Sequence, residues 1–150
     1  MRSRILVAYD FSPAAQSALA WALELHRSTG GEPVHVLHVI NPVPAVALPE
    51  MTAFPAPTEA EIAALTRQLE SDVREHSADA VAEVVRAPWI ASAILDAARR
   101  LKVDLIVMGT HGRKGVSRLM LGSAAEYVVR HAECPVVTLH SPPARSPASY

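Results

Sequence analysis

One cysteine, Cys134, is all that the 150-residue chain holds, so no disulfide can form within it. Aromatic residues are equally scarce, with two Trp, three Tyr and two Phe, which leaves the core to aliphatic and alanine side chains. Charge of either sign is nearly balanced: the formal net charge is −1, and a general nucleic-acid binder would need a basic face. No apolar run reaches the length of a membrane span. The basic start Met1-Arg2-Ser3-Arg4 leads into Ile5-Leu6-Val7-Ala8-Tyr9, which Asp10 ends before it is long enough for the core of a secretion signal. A reduced, cytoplasmic setting is the expectation. The pattern G-x-x-x-x-G-K-[ST] is missing, which excludes a P-loop, and no G-x-G-x-x-G follows the first strand, which argues against the usual dinucleotide fold.

What the chain does have is hydrophobic patterning. Half of its residues are hydrophobic and 19% are charged, as in a globular domain with a sizeable core. Apolar runs at 5–9, 34–40, 80–85, 105–108 and 135–139 read as five strands. Helices are expected between them. Ser12-Pro13 opens the first, with Ala15, Ala18, Leu19, Ala22 and Leu25 on one face, and Gly30-Gly31 closes it. Thr58-x-x-Glu61 is a capping box for the second, whose inner stripe is Ile62, Leu65, Leu69 and Val73. The third runs from about Trp89 to Leu101 with Ile90, Ile94, Ala97 and Leu101 inward. Ser123-x-x-Glu126 reads as a second capping box, with Ser123 as N-cap of a fourth helix ending near His131. Strands that alternate with helices imply an α/β domain, a five-stranded parallel sheet covered on both faces. Segment 41–57 carries prolines 42, 44, 49, 55 and 57 and reads as a long surface loop; 142–150 reads as a disordered tail after a single domain over 1–141.

The chain has six glycines, and four of them (109, 112, 115 and 122) fall between strand four and helix four. Gly109, Gly112, Gly122 and Ser123 stand as G-x2-G-x9-G-S. Positive φ and the missing Cβ at Gly109 and Gly112 would turn backbone N–H groups toward an anion, and Gly122 would admit a phosphate closely. Ser123 would add a hydroxyl at the positive end of a helix. Arg113 and Lys114 supply cationic charge beside the loop, and His111 lies inside it with phosphate contact or solvent as open alternatives. Ligands of open parallel sheets bind outside the carboxyl ends of the strands. Asp10 and Val39 belong to that edge, and an ionised Asp10 accepts from ribose hydroxyls, an adenine amino group or a metal-bound water. Any one of these signals alone is commonly structural; their meeting at one sheet edge favours a ligand site.

These residues resemble the universal stress protein family, in its ATP-binding branch. The likeness runs from Ile5-Leu6-Val7-Ala8-Tyr9-Asp10-Phe11-Ser12 through Leu37-His38-Val39 and Asp104-Leu105-Ile106-Val107-Met108-Gly109 to Cys134-Pro135-Val136-Val137, and the glycine spacing matches that branch's nucleotide signature. The resemblance implies a Rossmann-like sheet of order 3-2-1-4-5. It places Ala8, Tyr9 and Asp10 at the nucleoside end, backbone groups of Val39 at the adenine edge, and Met108 and Gly109 against the ribose. Gly112, Arg113, Gly122, Ser123 and Ala124 would surround the phosphates of ATP (or AMP or ADP), with Mg²⁺ or Mn²⁺ as a companion, and Thr110, His111 and Lys114 complete the expected nucleotide-binding set. It also implies a homodimer through strand 135–139, whose open edge is a template for pairing. Two departures stand out. Ala87-Pro88, followed by Trp89, replaces a glycine common between strand three and helix three, and Tyr9 is bulkier than the small residue of some members.

The resulting functional expectation is a dimeric, nucleotide-dependent stress-response regulator with slow turnover or none, since no residue reads as a dedicated general base. A true ATPase or phospho- or nucleotidyl-transferase using Arg113, Lys114 and a metal is one alternative. A nucleotide-independent dimeric adaptor with a protein partner is another. Of the histidines, His35 and His38 should face opposite sides of their strand, and none has zinc-ligand spacing. Trp21 and Trp89 read as packing residues, and Cys134 as a small buried one.

Overall fold

The computed structural model describes residues 3–42, 56–110 and 121–141. The loop expected over 41–57, the tail expected over 142–150, and His111, Gly112, Arg113 and Lys114 fall wholly or largely outside the described residues. Nine elements follow in the order β1 (Ile5–Ala8), α1 (Pro13–Thr29), β2 (Val34–Ile40), α2 (Glu59–His76), β3 (Ala80–Arg86), α3 (Ile90–Leu101), β4 (Leu105–Gly109), α4 (Ser123–His131) and β5 (Val136–Leu139). The strands form one parallel sheet of order β3-β2-β1-β4-β5. Val7 at its centre pairs with Val36 on one side and Val107 on the other.

The two-residue period of the strands sorts their side chains into two cores. Ile5, Val7, Tyr9, Val36 and Val107 pack with the Ala15-Ala18-Leu19-Ala22 stripe of α1 and with Leu69 and Val73 of α2. Leu6, Leu37, Val39, Ile106 and Met108 pack on the other face with Ile94, Leu95 and Ala97 of α3 and Ala125 and Val128 of α4. The central strands are therefore apolar on both faces, and β1 and β4 are fixed at the middle of the sheet with their carboxyl ends side by side.

Local chemistry sets the helix starts. The Ser12 hydroxyl accepts from the Ala15 N–H at 3.1 Å, ahead of Pro13 at the first helical position. In α2 the Thr58 hydroxyl accepts from the Glu61 N–H at 3.3 Å while the Glu61 carboxylate accepts from the Thr58 N–H at 2.7 Å. Gly30 and Gly31 end α1 with φ of 67° and 146°, a turn that glycine makes without strain.

Several sequence expectations are corrected. Trp89 is 74% exposed, Ile90 42% and Trp21 39%, so none of the three is a packing residue. Helix α3 begins after Trp89, which sits at its N-cap without a side-chain cap bond, and its inner stripe starts only at Ile94. Ile62 and Leu65 are only partly buried, and α2 commits its apolar face to the core at Leu69 and Val73.

Candidate functional site

The carboxyl ends of β1, β2 and β4 carry Asp10, Asn41 and Thr110 to one edge of the sheet. Ala8 pairs with Met108 and with Leu37, which sets the last residues of β1 and β4 side by side and places Val39 on the neighbouring strand. Ala8 is half-buried, while Met108 and Val39 are buried on the face covered by α3 and α4.

Asp10 shapes the turn out of β1. Its Oδ1 accepts from the Ser12 N–H at 3.0 Å, an Asx turn that feeds the chain into α1. Between them Phe11 takes φ of 63°, a left-handed conformation that is rare for a bulky residue. Its ring is held edge-on by Tyr9 at 5.2 Å and by His38 at 4.9 Å. The buried His38 lies 2.8 Å through Nδ1 from the Tyr9 carbonyl, which can only accept, so that nitrogen carries the proton. The sequence weighed His38 only as a metal ligand; its shared face with Tyr9 was the available clue. Nothing in the sequence marks Phe11 for its backbone conformation.

Tyr9 does not present its ring to the site. Its side chain is buried in the core beneath α1 and α2, and its hydroxyl donates to the Asp72 carboxylate of α2 at 3.1 Å. Burial, and then the neighbouring Asp72 charge, push its pKa up to about 12. The alternation of β1 explains this: Tyr9 continues the face of Ile5 and Val7, whereas Ala8 continues that of Leu6.

Gly109 serves packing. It is absent from the positive-φ glycines among the described residues, which corrects the expected left-handed turn. A Cβ built on it would stand 2.8 Å from Ala14 Cβ and 3.1 Å from the Ala14 backbone carbon. A glycine at the end of β4 thus lets the first turn of α1 rest directly on the strand.

Thr110 ties the base of the glycine loop together. Its N–H donates to the Leu139 carbonyl at 2.8 Å, its carbonyl accepts from the Gly122 N–H at 2.6 Å, and its hydroxyl is hydrogen-bonded to His140 Nδ1 at 3.0 Å. One hydrogen bond therefore joins Thr110 to Gly122 across the intervening segment. Gly122, not Ser123, is the N-cap of α4, with φ −60° and ψ 152°. Its carbonyl accepts from the Glu126 N–H at 2.8 Å, which puts Glu126 one place too far along for a capping box. The Glu126 carboxylate pairs with Arg130 at 2.7 Å instead. Ser123 and Ala124 are the first residues of the helix, and among the described residues no side chain caps their end of it. The arrangement offers backbone N–H donors and the positive helix end to an anion at the mouth of the loop. Among the described residues no three His, Cys, Asp or Glu side chains are placed to hold a metal ion.

The sequence model of the universal stress protein family matches residues 1–140. The chain belongs to this family. A universal stress protein of Thermus aquaticus is 38% identical over 91% of this chain and 98% of its own. The structure of UspA from Lactobacillus plantarum has a TM-score of 0.70 and 28% identity, covering 93% of this chain and 99% of that one. At 21% identity and a TM-score of 0.60, a universal stress protein family protein of Arabidopsis thaliana, solved with AMP bound, shares the fold over 98% of this chain and 97% of its own. The five-stranded parallel sheet with helices on both faces is thus the universal stress protein fold. No described helix is long and apolar enough to cross a membrane.

Proposed function

We propose that this universal stress protein binds an adenine nucleotide, ATP in the first place and AMP or ADP by the same groups, at the carboxyl edge of its sheet. The Gly122–Thr110 hydrogen bond carries the reading. It brings both ends of the G-x2-G-x9-G-S motif to one point, beside a helix end that no described side chain caps. Gly112, Arg113, Lys114, His111, Gly122, Ser123 and Ala124 would hold the phosphates, and Mg²⁺ or Mn²⁺ would travel with them. Ala8, Asp10, Val39, Met108, Gly109 and Thr110 would form the nucleoside end, with Tyr9 contributing backbone alone. The AMP-bound relative supports the ligand class.

The protein then acts as a regulator in a reduced cytoplasm and not as a fast enzyme. Glu126 is engaged by Arg130, and one oxygen of Asp10 is engaged by the Ser12 N–H, so neither is poised as a base for an attacking water. A homodimer through β5 belongs to the same reading. Pro135 and Leu139 turn their carbonyls to β4, which leaves the peptide groups of Val136 and Thr138 facing outward along an edge strand.

The test is release of bound nucleotide on denaturation, followed by ATP titration of the stripped protein. Stoichiometric binding that Gly122→Val or Gly112→Val removes is expected; no binding, or equal binding by both variants, overturns the assignment. Steady-state phosphate release of about one per second or faster, within the usual enzyme range, would overturn the regulatory part. Sedimentation of Thr138→Pro, which deletes only an outward donor, should give monomer where the parent gives dimer.

A further inference from the structure

A cleft of about 440 Å³ lies at the opposite edge of the sheet, between the C-terminal ends of α3 and α4. Its position follows from the topology: Val103 leads into β4 and Cys134 precedes β5, so both lie at the amino edge, away from the glycine loop. Leu95, Val103 and Ile106 give it an apolar floor, and each belongs to the core beneath α3 and α4.

The mouth carries two permanent cations, Arg99 and Lys102. Arg99 is shared with Asp96 at 3.0 Å, whereas Lys102 takes part in no ion pair among the described residues. Lys102 stands at the left-handed position of a Schellman turn, with φ of 50°. The Lys102 N–H donates to the Arg99 carbonyl at 3.1 Å and the Val103 N–H to the Ala98 carbonyl at 3.0 Å. Glycine is the unstrained choice there, so the turn bears conformational strain to keep a lysine side chain at the cleft. His131 is held on the other wall by its Nδ1 donating to the Tyr127 carbonyl at 2.8 Å and by stacking on the Tyr127 ring at 4.0 Å. Glu133 is the one acidic lining residue.

An apolar floor beside a lysine that no described carboxylate pairs, in a volume suited to a small molecule, suits a ligand with an apolar body and one anionic group. We propose that this cleft is a second ligand site, separate from the carboxyl edge, for a small amphipathic organic anion such as a carboxylate or sulfonate. Lys102 supplies the charge recognition and the accessible edges of Leu95 and Val103 take the body. Cys134 lines the same cleft, and burial followed by the Asp104 charge raises its pKa, which keeps it a thiol and makes it a bystander. As the only cysteine it is also a built-in reporter.

The probe is 8-anilinonaphthalene-1-sulfonate, titrated into the full chain in saturating ATP, with fluorescence and the alkylation rate of Cys134 by iodoacetamide as readouts. Saturating probe should slow alkylation about fivefold or more, because it covers the thiol. Lys102→Gly, which relieves the left-handed backbone while deleting the cation, should fold as well as the parent and bind about tenfold more weakly; Lys102→Glu should bind more weakly still. N-phenyl-1-naphthylamine, which lacks the sulfonate, should not discriminate between parent and variants. Unchanged alkylation at saturating probe, or equal affinity of the parent and a folded Lys102→Glu, overturns the proposal.

Discussion

Gly109 and Ala14 are in contact backbone to side chain, so closely that a Cβ on Gly109 would stand 2.8 Å from Ala14 Cβ. The first glycine of the G-x2-G-x9-G-S motif, to which a ligand role is proposed, is thus also the residue on which α1 docks. The two roles make different demands on a variant.

Gly109→Ala should destabilise the fold by about 1–3 kcal/mol through overpacking, since the obstructing atoms include Ala14 backbone. Urea unfolding should show a lower midpoint with an unchanged slope. An unaltered midpoint would mean that α1 can move off the strand.

Gly122→Asp separates site from scaffold. Asp is a strong N-cap, so the melting temperature should hold or rise, while a carboxylate at the uncapped end of α4 should repel phosphate. The expected loss of nucleotide affinity is about tenfold or more, read by titration calorimetry beside a thermal melt. Retained affinity would move the phosphates away from α4.

Tyr9→Phe should cost about 0.5–1.5 kcal/mol by removing the hydrogen bond to Asp72. It should also alter the alkaline limb of stability. The folded-state pKa of Tyr9, about 12, lies above the ordinary tyrosine value of 10.0. The folded chain therefore keeps a proton that the unfolded chain gives up, and the Tyr9 contribution is complete below pH 10 and is lost as pH rises toward 12. Denaturant titrations from pH 8 to 11.5 should give a shallower decline for the Phe variant than for the parent; parallel declines would refute the assignment.

Thr58→Ala should remove the cap of α2 at a cost of about 1 kcal/mol, measured by urea unfolding. Hydrogen bonds from the Thr58 N–H first, and then from its hydroxyl, hold the Glu61 pKa below the ordinary carboxylate value. The stability linked to Glu61 is therefore present above its unfolded pKa and fades as pH falls through the folded one. Thr58→Ala keeps the backbone donor and removes only the hydroxyl, so its loss of stability on acidification should be smaller than the parent's, and a pH profile down to 3 distinguishes them.

The two real capping signals and the false one show how far local pattern reaches. Ser12-Pro13 and Thr58-x-x-Glu61 cap as read, each side chain accepting from its own helix's first turn. Ser123-x-x-Glu126 follows the same pattern, but Thr110 draws Gly122 to the base of the loop and α4 starts one residue earlier than the pattern predicts. The exposed Trp89 is a similar case: composition favours burial, and the β3–α3 turn turns it out.

The sequence by itself determined the order of strands and helices, the parallel sheet, and the glycine-rich stretch as the place to look for a ligand. Those follow from the periods of apolar residues and from turn chemistry, which act over a few residues. Only the tertiary structure decided that Tyr9 serves the core, that Gly109 makes room for α1, and that Thr110 joins β4, β5 and α4. Each depends on which face of a strand meets which helix, and on groups far apart in the chain brought within hydrogen-bond or van der Waals reach.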